Sequence, residues 1–347
     1  MQNNYIKTTS SHNFAFCMAE YLQNRYHFLL DEKICYILGC SWGLHILSRS
    51  NSIFLPAPTR LNDLSTSYLE AFNPQAFEYF ITNLRAIYRI DHNNDISDAR
   101  WIASDYHNLG KIKTFVSLSN SLLGDNIVID NQPIYGVAYM DEYVRPGFEF
   151  DQIKEGSLQL EVLKNYTIKL PVQKFTKYWK IDNCEMFNAN RYVIISPQFK
   201  SLHETLPGLI GNALRMNYFQ ITNETILSGS RLLMELMKNL KKSPSQERVK
   251  EYIEFFFYSL RKNSLLGGGD MDRQYLSKCF ECLSNLGYIK NTSIVDIAAL
   301  CGRCWNTLYG KIQKTDKIVF SELYDMIREV TEAESALEKM LGSIVKV

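Results

Sequence analysis

The sequence predicts an α+β domain followed by an all-α domain, on two observations. From Lys113 to Leu170 the residues alternate with period two, in TFVSLSN, PIYGVAYMDEYV, FEFDQIKE, SLQLEVL and YTIKLP, which is the pattern of antiparallel strands. After Pro197 apolar residues recur at helical spacing almost to the end of the chain. Strands and helices segregated in this way, rather than alternating, point to α+β followed by helices and away from a parallel α/β sheet. The expected domains are residues 1–190 and 191–347, with the change falling between Asn183 and Pro197.

Phe14 to Arg25 (FAFCMAEYLQNR) puts Phe14, Cys17, Met18, Tyr21 and Leu22 on one helical stripe, with Ser10 or Ser11 as its cap. Lys33 to Leu38 leans towards a strand and ends in a turn at Gly39, and a loop with Pro56 and Pro58 follows. Helical patterns cover Ser65 to Phe72 and Pro74 to Leu84. A strand is expected at Ala86 to Ile90, and a helix at Ser97 to His107 closed by Gly110. Glu155-Gly156 reads as a hairpin turn. The later helices are expected at His203 to Tyr218, Thr225 to Leu240, Gln246 to Lys262, Met271 to Leu286, Thr292 to Lys311 and Ser321 to Leu341.

Thirty-eight basic residues against thirty-seven acidic leave a net charge of +1, so no global field favours nucleic acid or an anionic membrane. The first residues, MQNNYIKTTSSHNF, lack a signal-peptide pattern, and no apolar run spans a bilayer, so a cytoplasmic protein is expected. Eight cysteines then read as thiols, metal ligands or a nucleophile rather than a disulfide framework.

Three places could carry chemistry. Gly39-Cys40-Ser41-Trp42-Gly43 spells G-x-S-x-G, but a nucleophile elbow also needs a strand before it, a helix after it, and a later acid and histidine on a mostly parallel sheet. The strands here read as antiparallel, and the histidine after them is His203, within a helical pattern. Cys279, Cys282, Cys301 and Cys304 form C-x2-C-x18-C-x2-C, a spacing found in zinc sites. Both pairs continue a helical pattern, which favours buried helix faces, with no metal expected. Cys17 lies in the first turns of its helix, where the macrodipole lowers a thiol pKa and backbone N–H groups can receive an oxyanion. On its residues alone, a small apolar residue on the buried stripe explains Cys17 better than a nucleophile does.

Six segments add to Cys17, in a fixed order. They are Cys17 with Leu22 and Asn24; Asp31-Glu32; ILGCSWGL; DARWIASDYHNLGKIKTFVSLSN, where Asn120 ends the run; YTIKLPVQKFTKYW (Tyr166 to Trp179); and GGGDMDRQYLSKCF (Gly267 to Phe280). In this order they resemble the family of the butirosin biosynthesis protein H, over nearly the whole chain. The amide-forming enzyme of closthioamide assembly is similar in plan. The resemblance implies a papain-like cysteine-enzyme N-terminal domain, a helical C-terminal domain and an acyltransferase of natural-product assembly. The donor would be a phosphopantetheine thioester on an acyl or peptidyl carrier protein, and the acceptor a small amine, with no bound cofactor. Cys17 would be the nucleophile, with His12 or Asn13 beside it as donors. Cys40, Ser41 and Trp42 would shape the acyl pocket, and Asn120 stands where the family has Asp.

One departure bears on mechanism. A papain-like triad takes its histidine and acid from adjacent strands, and those positions read Phe148 and Glu161; no histidine lies between His107 and His203. The base is then His12, His92, His107 or the amine itself, or catalysis has been lost and the protein only binds a carrier. A thioesterase or peptidase that hands the acyl group to water is the competing enzyme class. No nucleic-acid or membrane partner is expected, and a homodimer is left open.

Overall fold

The computed structural model describes residues 12–26, 28–40, 42–48, 64–72, 76–84, 87–92, 114–118, 134–141, 157–163, 166–171, 190–196, 202–222, 227–264, 270–314 and 318–345. The chain divides into two compact units. Described residues up to Cys35 and those between 85 and 200 form one, while those from Tyr36 to Leu84 and from 201 onwards form the other. The expected domains ran consecutively, as 1–190 and 191–347; the units interleave, because 36–84 joins the C-terminal helices. The change from strand to helix in the chain comes after Ser196, close to where the sequence placed it.

In the first unit, helix α1 (Asn13–Tyr26) lies against three strands of a six-stranded sheet. The strands are β3 (Ile87–His92), β4 (Thr114–Leu118), β5 (Ile134–Asp141), β6 (Ser157–Leu163), β7 (Tyr166–Pro171) and β8 (Asn190–Ser196). Their order is β3-β8-β4-β5-β6-β7, every pair antiparallel, and α1 crosses β4, β5 and β6. Period-two alternation foresaw β4 to β7. It passed over β8, because NRYVIIS alternates for too few residues to stand out and finds its place only between β3 and β4. The strand expected at Phe148 to Glu155, the Glu155-Gly156 turn and the helix expected at Ser97 to His107 lie outside the described residues.

Helix α2 (Glu32–Leu38) occupies the stretch expected as a strand. The capping chemistry of Asp31 overrides the β-leaning run: its Oδ1 accepts the Lys33 N–H at 2.8 Å, and its carbonyl accepts the N–H groups of Ile34 and Cys35 at 3.0 Å. Cys40 closes the helix in the left-handed region at φ 46°, its N–H donating to the Ile37 carbonyl.

In the second unit, β1 (Trp42–Ser48) and β2 (Ser67–Phe72) form an antiparallel pair, with a 3-10 turn at Leu64–Thr66 before β2. The helical pattern expected at Ser65 to Phe72 gives way to β2, because tertiary pairing with β1 decides otherwise; Trp42 to Ser48 lies between the turn at Gly39 and the proline loop, with no element expected there. Helices α3 (Ala76–Leu84), α4 (Leu202–Thr222), α5 (Gly229–Lys242), α6 (Gln246–Ser264), α7 (Arg273–Asn285), α8 (Ser293–Lys314) and α9 (Phe320–Val345) complete the unit. All six late helices fall where the periodicity put them. Their core includes Leu232, Leu236, Tyr252, Phe256, Trp305 and Ile327, and the β-pair contributes Leu44, Ile46, Leu69 and Ala71 to it. Among the described residues, no helix is long and apolar enough to cross a membrane.

Candidate functional site

Helix α1 starts at His12, whose carbonyl accepts the Phe16 N–H at 2.8 Å. Cys17 is therefore one turn inside the helix, where its own N–H is directed at the carbonyl of Asn13. The N–H groups left over by the helix are those of its first residues, so a Cys17 oxyanion donor is not available in the way the sequence suggested. Phe14, Cys17, Met18, Tyr21 and Leu22 are all fully buried, as expected of the stripe, and Ala15 and Phe16 are buried as well. A helix start that is apolar all round belongs inside a fold. His12 is buried too. Five residues of helix turn through about 140° beyond one full revolution, which carries His12 and Cys17 to different faces of α1.

Glu161, at the acid position, lies on β6, one of the strands under α1; its neighbours across the sheet are Val137 and Thr167. His92 ends β3 opposite Asn190. Asn120, Phe148 and His107 lie outside the described residues, as does Ser41, and of the Asn13 side chain nothing is described.

Cys40 and Trp42 belong to the second unit and are core residues there. The Cys40 thiol donates to the Ala213 carbonyl at 3.3 Å, receives Asn83 Nδ2 at 3.7 Å, and is pushed up to about 12 by burial, so it stays protonated. Trp42 is buried edge-on to Phe280, with ring centroids 6.2 Å apart, and its carbonyl accepts Asn217 Nδ2 at 3.1 Å. G-C-S-W-G thus joins a helix to a strand, the reverse of the strand-to-helix order a nucleophile elbow needs.

The two cysteine pairs lie on α7 and α8, whose antiparallel register is set by Ser277 Oγ donating to the Val295 carbonyl at 2.9 Å and Gln274 Nε2 to the Ala299 carbonyl at 3.1 Å. Followed along that register, Cys279 comes level with a point on α8 roughly 11 Å along the axis from Cys301. Four thiolates at about 2.3 Å from one zinc cannot span that distance. Cys301 instead has a raised pKa, from burial and the Glu334 carboxylate nearby. Among the described residues, no three His, Cys, Asp or Glu side chains are grouped to hold a metal ion, and no described cysteine is in a disulfide.

The chain matches no known family model and no curated protein.

A buried charged cluster in the second unit lies at the start of α7, and the sequence marked it only as a glycine-rich run before an arginine. Arg273 is 1% exposed and Glu334, on α9, 2%. Arg273 Nε donates to Glu334 Oε1 at 2.8 Å and Nη2 to Oε2 at 3.1 Å; Nη1 donates to the Met271 carbonyl at 2.8 Å and Nη2 to the Gly43 carbonyl at 2.7 Å. Glu334 Oε1 also accepts Trp305 Nε1 at 2.7 Å, and the guanidinium lies 5.8 Å from the Trp42 ring centroid. Burial works against the charge on Arg273, but the Glu334 carboxylate outweighs it and holds the guanidinium protonated.

Around this pair, Asp270 Oδ2 accepts the Gln274 N–H at 2.8 Å, and burial, with Asp272 as a second negative charge, raises its carboxyl to about 6. Burial and then Arg273 lower His45 to about 4, so it is neutral at pH 7. Met271 and Asp272 are both left-handed, at φ 54° and 59°, a costly pair of conformations for residues other than glycine. Sequence spacing could not have found the partnership, since Glu334 lies sixty-one residues from Arg273 and sits in a helical repeat like any exposed glutamate.

Proposed function

We propose that the protein is a cysteine-dependent acyltransferase that moves an acyl group from a carrier-protein thioester to an amine. The observation that carries this reading is Cys17 on a helix laid across antiparallel strands, with Glu161 on one of those strands. It agrees with the order of motifs that resembles the butirosin family and with a papain-like arrangement of the N-terminal unit. The Cys17 thiolate attacks the thioester carbonyl, a carbon–sulfur bond forms through a tetrahedral oxyanion, and the phosphopantetheine thiolate leaves and takes up a proton. The amine then attacks the acyl-cysteine, loses its proton to a second amine or to water, and Cys17 leaves as thiolate. His12 turns to another face of α1, so the amine serves as its own base, which a thioester electrophile permits at a cost in rate.

The complete burial of Cys17 favours a second reading, a module that binds a carrier protein without catalysis. Intact mass of the protein after incubation with acyl-loaded carrier separates the two. The enzyme gains one acyl mass, Cys17→Ala does not, and adding an amine releases an amide. Absence of any adduct on the wild type, with carrier binding retained, establishes the module. An adduct that persists in Cys17→Ala sinks the assignment of the nucleophile. Free acid in place of amide would make it a thioesterase.

A further inference from the structure

Strand β1 contains a bulge. Trp42 pairs with Phe72 and His45 with Glu70, so Gly43 and Leu44 together face the single residue Ala71. A bulge takes a backbone carbonyl out of the ladder, and the Gly43 carbonyl is the one that Arg273 Nη2 contacts at 2.7 Å. Register in a strand is normally chosen by burying one face and wetting the other. Here Trp42, Leu44, His45 and Ile46 are all buried, so that choice is weak: a slip by one residue exchanges His45 for a leucine or isoleucine without exposing either face.

We propose that Arg273, anchored by Glu334, is a register lock that fixes where the bulge lies in β1. The guanidinium suits the task because its planar fork meets several acceptors at once. Two N–H groups hold the Glu334 carboxylate, one takes the Met271 carbonyl at the turn into α7, and one takes the Gly43 carbonyl in the bulge. Glu334 is held in turn by Trp305 on α8. One carbonyl of a two-stranded sheet is thereby referenced to three helices, and any other register leaves that N–H, or the carbonyl, buried without a partner. Among the specificity roles of buried polar and ionic groups, fixing register is the best attested.

Hydrogen exchange of the full chain, followed by mass spectrometry, tests this with Arg273→Met/Glu334→Gln, which removes the charge pair without stranding either charge and keeps an acceptor for Trp305. The amides of residues 44–48 and 68–71 are expected to lose about tenfold or more in protection beyond the loss seen in α7, α8 and α9, the effect of one charge-assisted hydrogen bond. Arg273→Lys, which keeps the charge but not the fork, is expected to show the same local loss. Parallel loss in strands and helices would make the pair an ordinary stabiliser and overturn the proposal, as would wild-type protection in the strands. If the double variant does not fold, Arg273→Lys and Glu334→Gln alone decide by the same comparison.

Discussion

The imidazole of His45 occupies the space beside Gly43 that any larger residue would need: a Cβ at position 43 would overlap His45 Nε2. The second glycine of G-C-S-W-G is therefore required by packing within a bulged strand and not by an oxyanion hole. Gly43→Ala is expected to cost about 1–3 kcal/mol, the range for overpacking a filled core, in urea unfolding at unchanged m. In a His45→Ala background the same change should cost only a few tenths. An equal cost in both backgrounds would show that the conflict lies in the backbone.

His45 and Asp270 flank Arg273 with opposite pH dependence. The His45 pKa falls from its ordinary 6.5 to about 4, so its contribution is fully present above 6.5 and is lost as the pH drops through 4. The Asp270 pKa rises from 3.8 to about 6, so its contribution is present below 3.8 and is lost as the pH climbs through 6. Between pH 4 and 6 the two largely cancel. Asp270→Asn keeps an acceptor for the Gln274 N–H and should leave the low-pH stability unchanged while raising that at pH 7 by about 2–3 kcal/mol. Chemical denaturation at pH 4 and pH 7 checks this, and a difference between variant and wild type that does not vary with pH would refute it.

Trp305 shares Glu334 Oε1 with Arg273, so its loss is felt through the ion pair. Trp305→Phe is expected to destabilise by about 1–3 kcal/mol, for the bond to a charged acceptor and the lost ring volume. Glu334→Ala, which strands the Arg273 charge, should cost about 3–5 kcal/mol. The two changes made together should fall short of their sum by about 1 kcal/mol in a double-mutant cycle, since both remove one contact. Additivity would mean that the Trp305 Nε1 bond contributes nothing.

Helix α7 ends on Gly287 at φ 74°, with Tyr288 N–H donating to the Leu283 carbonyl and Gly287 N–H to the Ser284 carbonyl, both at 2.9 Å. There is open space where a Cβ would go, so conformation alone sets the cost of Gly287→Ala, about 1–2 kcal/mol. Thermal melts report it, and Gly287→Asn, which tolerates the left-handed region better, should recover part of the loss.

By itself the sequence determined the six late helices, the four strands β4 to β7 and the helix that carries Cys17, because each has a period long enough to be read locally. It misread Lys33 to Leu38, where a cap at Asp31 outweighs β-branched residues, and Ser67 to Phe72, and it assigned nothing to Trp42 to Ser48; these last two are strands only because they pair with each other and pack on helices far along the chain. The placing of 36–84 with the C-terminal helices, the separation of the two cysteine pairs and the joining of Arg273 to Glu334 and Gly43 all depend on contacts between residues distant in sequence. Periodicity reports which face of an element is apolar and carries no information about what will cover it. A buried charge pair is invisible to it until the fold brings the two halves together.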